Sequence, residues 1–143
     1  MNLTKALKHK KKLIRQADEA YTRFMAFNSK EVGATTPYSA EEAFNAWLDL
    51  TRQIVDLKTK IQRANAPIME KIFKLGELKN QISRMRGVDT KEGRHRDRYG
   101  DGEYLEYTCF MNLVQKDTQV KAWEAELEEL QEEIEAFNAI TKI

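Results

Sequence analysis

The sequence predicts a mainly α fold, with long antiparallel helical hairpins forming a four-helix, coiled-coil-like bundle. Three observations lead there. Gly and Pro are scarce, 6 and 2 in 143 residues, while charged residues make up 33%. That balance favours long regular helices. Apolar residues recur at steps of three and four through most of the chain, which places them on one face of a helix. Finally, Leu113, Val120, Leu127 and Ile134 recur every seven residues, interleaved with a second series of Trp123, Leu130 and Phe137. Two such series make a heptad seam, here with Lys116 as its one polar member.

The elements follow in order within a single helical domain, 1–143. Leu3, Leu7, Ile14, Ala17, Tyr21 and Phe24 place the first helix over about 3–28. Val32 to Tyr38 holds the first Gly and Pro and ends it. Ser39, with Glu42 three residues on, reads as a capping box opening a second helix over 39–65. Its apolar set of Phe44, Trp47, Leu48, Leu50, Ile54, Val55, Leu57 and Ile61 is broad enough for more than one neighbour. Asn65-Ala66-Pro67 is the next punctuation, a tight turn with Asn65 as cap and Pro67 in the following first turn. Ile68, Ile72, Leu75, Leu78, Ile82 and Met85 carry a third helix over 67–86, which Gly87 closes. A long polar loop is expected over 87–103. Tyr104 to Phe110 is rich in strand formers and is expected to form a short extended segment or strand near 104–110. Asn112, with Gln115 three residues on, caps the last helix over 112–139.

A weak internal repeat is visible: Leu57, Ile61, Asn65 and Ala66 are mirrored by Leu130, Ile134, Asn138 and Ala139. Amphipathic helices align through their apolar positions in any case. The matched Asn-Ala pair is the part that periodicity does not explain.

Charge is balanced overall, with a formal net of +1, but unevenly placed. Lys5, Lys8, Lys10, Lys11, Lys12 and Arg15 crowd the first helix. Glu124, Glu126, Glu128, Glu129, Glu132, Glu133 and Glu135 crowd the last. Like charges at neighbouring helical positions repel by a few tenths of a kcal/mol per pair. Setting the basic helix beside the acidic one, within a chain or across a dimer, relieves this. A competing reading gives the basic helix a polyanion, nucleic acid or an anionic membrane, as partner; a second copy of the chain is the favoured partner, nucleic acid is possible but not favoured, and no membrane partner is expected. No run of about 18 apolar residues suggests a membrane span. The single cysteine, Cys109, cannot form an internal disulfide and sits among Tyr107, Phe110 and Met111 like a buried, inert thiol. No apolar signal core follows the basic N-terminal run, and a cytoplasmic location is expected.

Candidate chemistry concentrates in the 87–103 loop. Arg94, Arg96 and Arg98 alternate beside Tyr99 and can grip phosphate or carboxylate oxygens through forked donors. The plainer reading pairs them with Asp97, Asp101 and Glu103 in a solvated loop. His95, Asp97, Asp101 and Glu103 are the weak metal-ligand candidates, and a metal-dependent hydrolase would use them. Their spacing does not match a calcium loop, and His9 and His95 are too few for a zinc set. No phosphate-cradling Gly-x-x-x-x-Gly-Lys run is present, no cofactor is implied, and no catalytic residue is assigned. An enzyme is the less favoured class. Phe24, Trp47, Trp123 and Phe137 sit at core spacing and are read as packing residues, not as a stacking surface for bases.

Leu3-Thr4-Lys5-Ala6-Leu7, Ile61-Gln62-Arg63-Ala64-Asn65-Ala66, Arg98-Tyr99 through Glu103 and Ile134-Glu135-Ala136-Phe137-Asn138-Ala139 together resemble a family of small bacterial proteins described as septicolysin-like. The biochemical function of that family is not established. This chain has Ala139 where the family tends to have tryptophan, and a glycine-rich Gly100-Asp101-Gly102. The resemblance implies a helical, oligomeric protein with Arg98, Tyr99 and Glu103 in its most distinctive motif; it does not lead to lytic activity. The function expected is that of a homo-oligomeric helical scaffold or interaction protein, dimeric or higher, with the 87–103 loop as its presented surface. Anionic-ligand or nucleic-acid binding by Arg94, Arg96, Arg98, Tyr99, Glu103 and the first helix is the alternative.

Overall fold

The computed structural model describes residues 1–96 and 102–143. The chain is mainly helical, with one short antiparallel pair of strands. Its elements are α1 (Leu3–Phe27), α2 (Ala40–Asn65), α3 (Met69–Arg86), β1 (Gly93–Arg96), β2 (Tyr104–Tyr107) and α4 (Leu113–Ile140). They are organised in two compact units: Met1–Ile68 with Glu135–Ile143, and Met69–Ile134. Helix α4 contributes to both.

The helix starts are set by side-chain caps that supply acceptors for otherwise orphaned amides. Asn2 Oδ1 accepts from the Lys5 amide at 2.9 Å, and Ser39 Oγ accepts from the Glu42 amide at 3.2 Å. At α4 both halves of the box form. The Gln115 amide donates to Asn112 Oδ1 and the Asn112 amide donates to Gln115 Oε1, each at 2.9 Å.

The break expected at Asn65-Ala66-Pro67 is milder than a tight turn. Asn65 is the last residue of α2, Ala66 keeps helical angles (φ −47°, ψ −43°), and Ala66–Ile68 forms one turn of 3₁₀ helix before α3. Pro67 has no amide to lose and its fixed φ suits a helical first turn, so the backbone winds on through it. Asn65 is therefore not a cap. The 87–103 loop also differs from expectation: four of its residues form β1. Arg94-His95-Arg96 has no apolar alternation, so the pairing partner, not the residues' own preference, makes that strand.

In the first unit, α1 and α2 form an antiparallel hairpin. Leu3, Ala6, Leu13, Leu57 and Ile61 are buried together, with Leu7, Leu50, Ile54, Phe137 and Ile143 packed around them. Ala17, Ala20 and Ala43 are buried too. Small side chains in the seam let the two backbones approach within 8 Å Cα to Cα along the hairpin. The ends of the chain meet in this unit. The Leu3 amide donates to the Thr141 carbonyl at 2.8 Å, the Ile143 amide to the Met1 carbonyl at 3.1 Å, and Asn2 Nδ2 to the Ala139 carbonyl at 3.1 Å.

In the second unit, α3 runs antiparallel to α4. Leu78, Ile82 and Leu130 are buried, and Leu75, Val120, Trp123 and Leu127 pack on them. Ion pairs flank this seam: Lys71 with Glu133 at 2.8 Å, Lys74 with Glu126 at 2.9 Å, and Arg86 with Glu124. The hydrogen bond that Lys74 donates to Glu126, and then that carboxylate's charge, hold the Lys74 ammonium pKa above its ordinary value. Lys116, the polar member of the heptad series, donates from Nζ to the Arg86 carbonyl at 3.0 Å and the Val88 carbonyl at 2.9 Å. It thereby caps the end of α3. Leu113, expected as the first member of the seam, is instead 56% exposed. It lies one turn before Lys116, and α3 has already ended where Lys116 meets it.

Candidate functional site

The segment between α3 and α4 builds the most distinctive surface. Gly87 and Val88 close α3 by donating to the Arg84 and Met85 carbonyls, both at 3.1 Å. The Asp89 carboxylate then accepts from the Lys91 amide at 2.9 Å, a local turn that aims the chain into β1. Strands β1 and β2 pair antiparallel in the register Gly93 with Tyr107, Arg94 with Glu106, His95 with Leu105 and Arg96 with Tyr104.

Side chains alternate between the two faces of a strand. Arg94, Arg96, Tyr104 and Glu106 therefore share one face, and all four are exposed. The opposite face carries His95, Leu105 and Tyr107. The His95 ring sits edge-on to Tyr107 with centroids 5.8 Å apart, and Lys91 Nζ lies 4.6 Å from the Tyr107 ring centroid. His95 Nε2 lies 2.6 Å from the Glu92 carbonyl oxygen, to which the ring N–H donates. That bond occupies a nitrogen a metal would otherwise use. Gly102 sits at φ +94°, and a Cβ built there would lie 3.0 Å from the Arg96 guanidinium. The glycine lets the Arg96 head lie close against the backbone.

Of the sequence-derived candidates, Arg94 and Arg96 come together on one face, while His95 points to the other. Glu103 is exposed just before β2. Asp97, Arg98, Tyr99 and Asp101 lie outside the described residues. Among the described residues, no group of three or more His, Cys, Asp or Glu side chains is arranged to hold a metal ion. Cys109 is half-buried, not buried as its apolar neighbours suggest. Partial burial, then the Glu92 carboxylate beside it, push its thiol pKa up.

Two surfaces were not singled out by sequence reading. At the far end of the α1–α2 hairpin, Tyr21, Phe24, Phe44 and Trp47 form an aromatic cluster: Tyr21 to Trp47 is 5.0 Å and Phe24 to Phe44 5.2 Å between centroids. Phe24 and Trp47 are only half-buried, so they are not interior core residues. Arg23 stacks over Tyr38 at 4.0 Å beside them. The spacing of these aromatics was visible; their incomplete cover was not. At the start of α4, Phe110, Met111, Val114, Thr118 and Ala122 line an open groove of about 380 Å³. Phe110 and Val114 are 97% and 72% exposed.

Comparison with family models, curated proteins and solved structures finds no match to this chain. Among the described residues, no helix is long and apolar enough to cross a membrane.

Proposed function

We propose that this protein is a homo-oligomeric helical scaffold that presents the β1–β2 hairpin. One observation carries the reading: α4 has a heptad apolar series and 28 residues, yet Leu130 is its only buried residue. Val120, Trp123, Leu127, Ile134 and Phe137 remain half-covered, and Phe110, Leu113 and Val114 face outward. Apolar surface of that kind next to a groove is what subunit contacts cover. The two-stranded hairpin supports the same reading, because an isolated pair of strands is marginally stable and neither outer edge pairs with another strand among the described residues. The resemblance to septicolysin-like proteins belongs to this proposal, as does a reducing, cytoplasmic setting for the lone thiol of Cys109. Light scattering on the eluting peak of a size-exclusion column tests it. A dimer or higher species is expected at micromolar concentration, and a monomer there overturns the proposal.

A second reading rests on the shared face of Arg94, Arg96 and Tyr104. Two guanidinium forks beside an aromatic ring suit a phosphate or carboxylate ligand. Such binding weakens steeply with added salt. Failure of a labelled oligonucleotide to bind at low salt removes this reading.

A further inference from the structure

The three ion pairs between helices among the described residues all join α3 to α4. They use Glu124, Glu126 and Glu133 of α4. Glu128, Glu132 and Glu135 have no ion-pair partner among the described residues, and all three are exposed. Their spacing of four and three places them in one stripe, on the side of α4 opposite Trp123, Leu130 and Ile134. On α1, Lys5, Lys8, Lys12 and Arg15 are likewise exposed and without an ion-pair partner. Their spacing of three, four and three makes a second stripe, opposite the buried Leu3, Ala6, Leu13 and Ala17. No Asp or Glu precedes Asp18, and no Lys or Arg lies between Ala122 and Thr141. Each stripe is thus uncompensated on its own helix.

We propose that the α1 basic stripe of one copy docks against the α4 acidic stripe of a second copy. This rests on the oligomeric reading above and names the contact that orients it. The argument for a second copy, over any other partner, is complementarity with near-zero net charge. One chain carries both stripes at a formal net of +1, so a second copy offers each stripe its complement. Exposed pairs are individually weak and screened by salt. The stripes therefore select orientation and speed encounter, while apolar contact supplies most of the affinity.

Charge reversal on the full chain tests this. One variant carries Lys8→Glu, Lys12→Glu and Arg15→Glu; the other carries Glu128→Lys, Glu132→Lys and Glu135→Lys. Circular dichroism checks that each stays helical, and sedimentation at low and high salt reads association. Each variant alone is expected to self-associate about tenfold more weakly than the parent at low salt. The two mixed are expected to regain association as a heteromer, since their stripes are again opposite. All six changes in one chain are expected to restore self-association. Variants that self-associate like the parent overturn this inference and leave the scaffold proposal standing. A parent chain that is monomeric at both salts overturns the scaffold proposal itself. If the mixture does not re-associate while the parent binds a labelled oligonucleotide that the α1 variant does not, the basic stripe serves a polyanion and the inference fails.

Discussion

Lys116 shows how one polar residue in an apolar seam is explained by what it reaches. A lysine among Val120, Trp123 and Leu127 reads from sequence as an interruption. In the structure its ammonium takes the Arg86 and Val88 carbonyls at the end of α3, where unpaired acceptors and the negative end of the helix dipole favour a cation. Lys116→Met keeps the stem and removes the donors. It is expected to lower stability by about 1 kcal/mol, measured by urea unfolding, and to speed amide exchange in the last turn of α3. Unchanged exchange there would show that the cap does not hold that turn. Gly102 makes a similar point in the hairpin. Its positive φ strains any L side chain placed there, and the Arg96 head lying against it would have to shift a little as well.

At the scale of elements, the two helix pairs are held by opposite packing strategies. Between α1 and α2, Ala17, Ala20 and Ala43 permit close backbone approach. Between α3 and α4, larger residues such as Leu78, Ile82, Trp123 and Leu130 fill the seam and ion pairs line it. Opposite substitutions should therefore both destabilise. Ala17→Leu overpacks the first pair and is expected to remove about 1–3 kcal/mol. Leu78→Ala leaves a cavity in the second and is expected to remove about 2–5 kcal/mol. Chemical denaturation of both variants measures this, and a neutral Ala17→Leu would refute close packing at that site. The helices were legible in the sequence because burial on one face imposes a period of about 3.6 residues. Strand β1 was not, because Arg94-His95-Arg96 has no such period and depends on β2 for its hydrogen bonds. The alternation of the arginines was visible in the sequence, but the strand that sets Arg94 and Arg96 on one face was not.

For the molecule as a whole, the second unit is notable for how few side chains it buries: Leu78, Ile82 and Leu130 among its described residues. A core that thin gains from any subunit contact that covers Val114 or the half-exposed α4 series. If oligomerisation supplies that cover, folding and assembly are linked by mass action. The midpoint of thermal unfolding is then expected to rise with protein concentration, as differential scanning calorimetry at several concentrations would register. A midpoint independent of concentration would mean that the thin core is stable alone.

The sequence by itself determined the local facts: which segments are helical, where Ser39 and Asn112 cap them, and that opposite charges crowd the first and last helices. Each depends on residues within a turn or two of one another, so spacing along the chain is enough to reveal it. Tertiary structure decided the rest. It made Pro67 a continuation of helix, paired Arg94–Arg96 with a strand eight or more residues away, gave Lys116 its carbonyls, and left the stripes of α1 and α4 without ion-pair partners among the described residues. Those outcomes turn on which distant groups come within hydrogen-bonding or contact distance, and no local pattern encodes that distance.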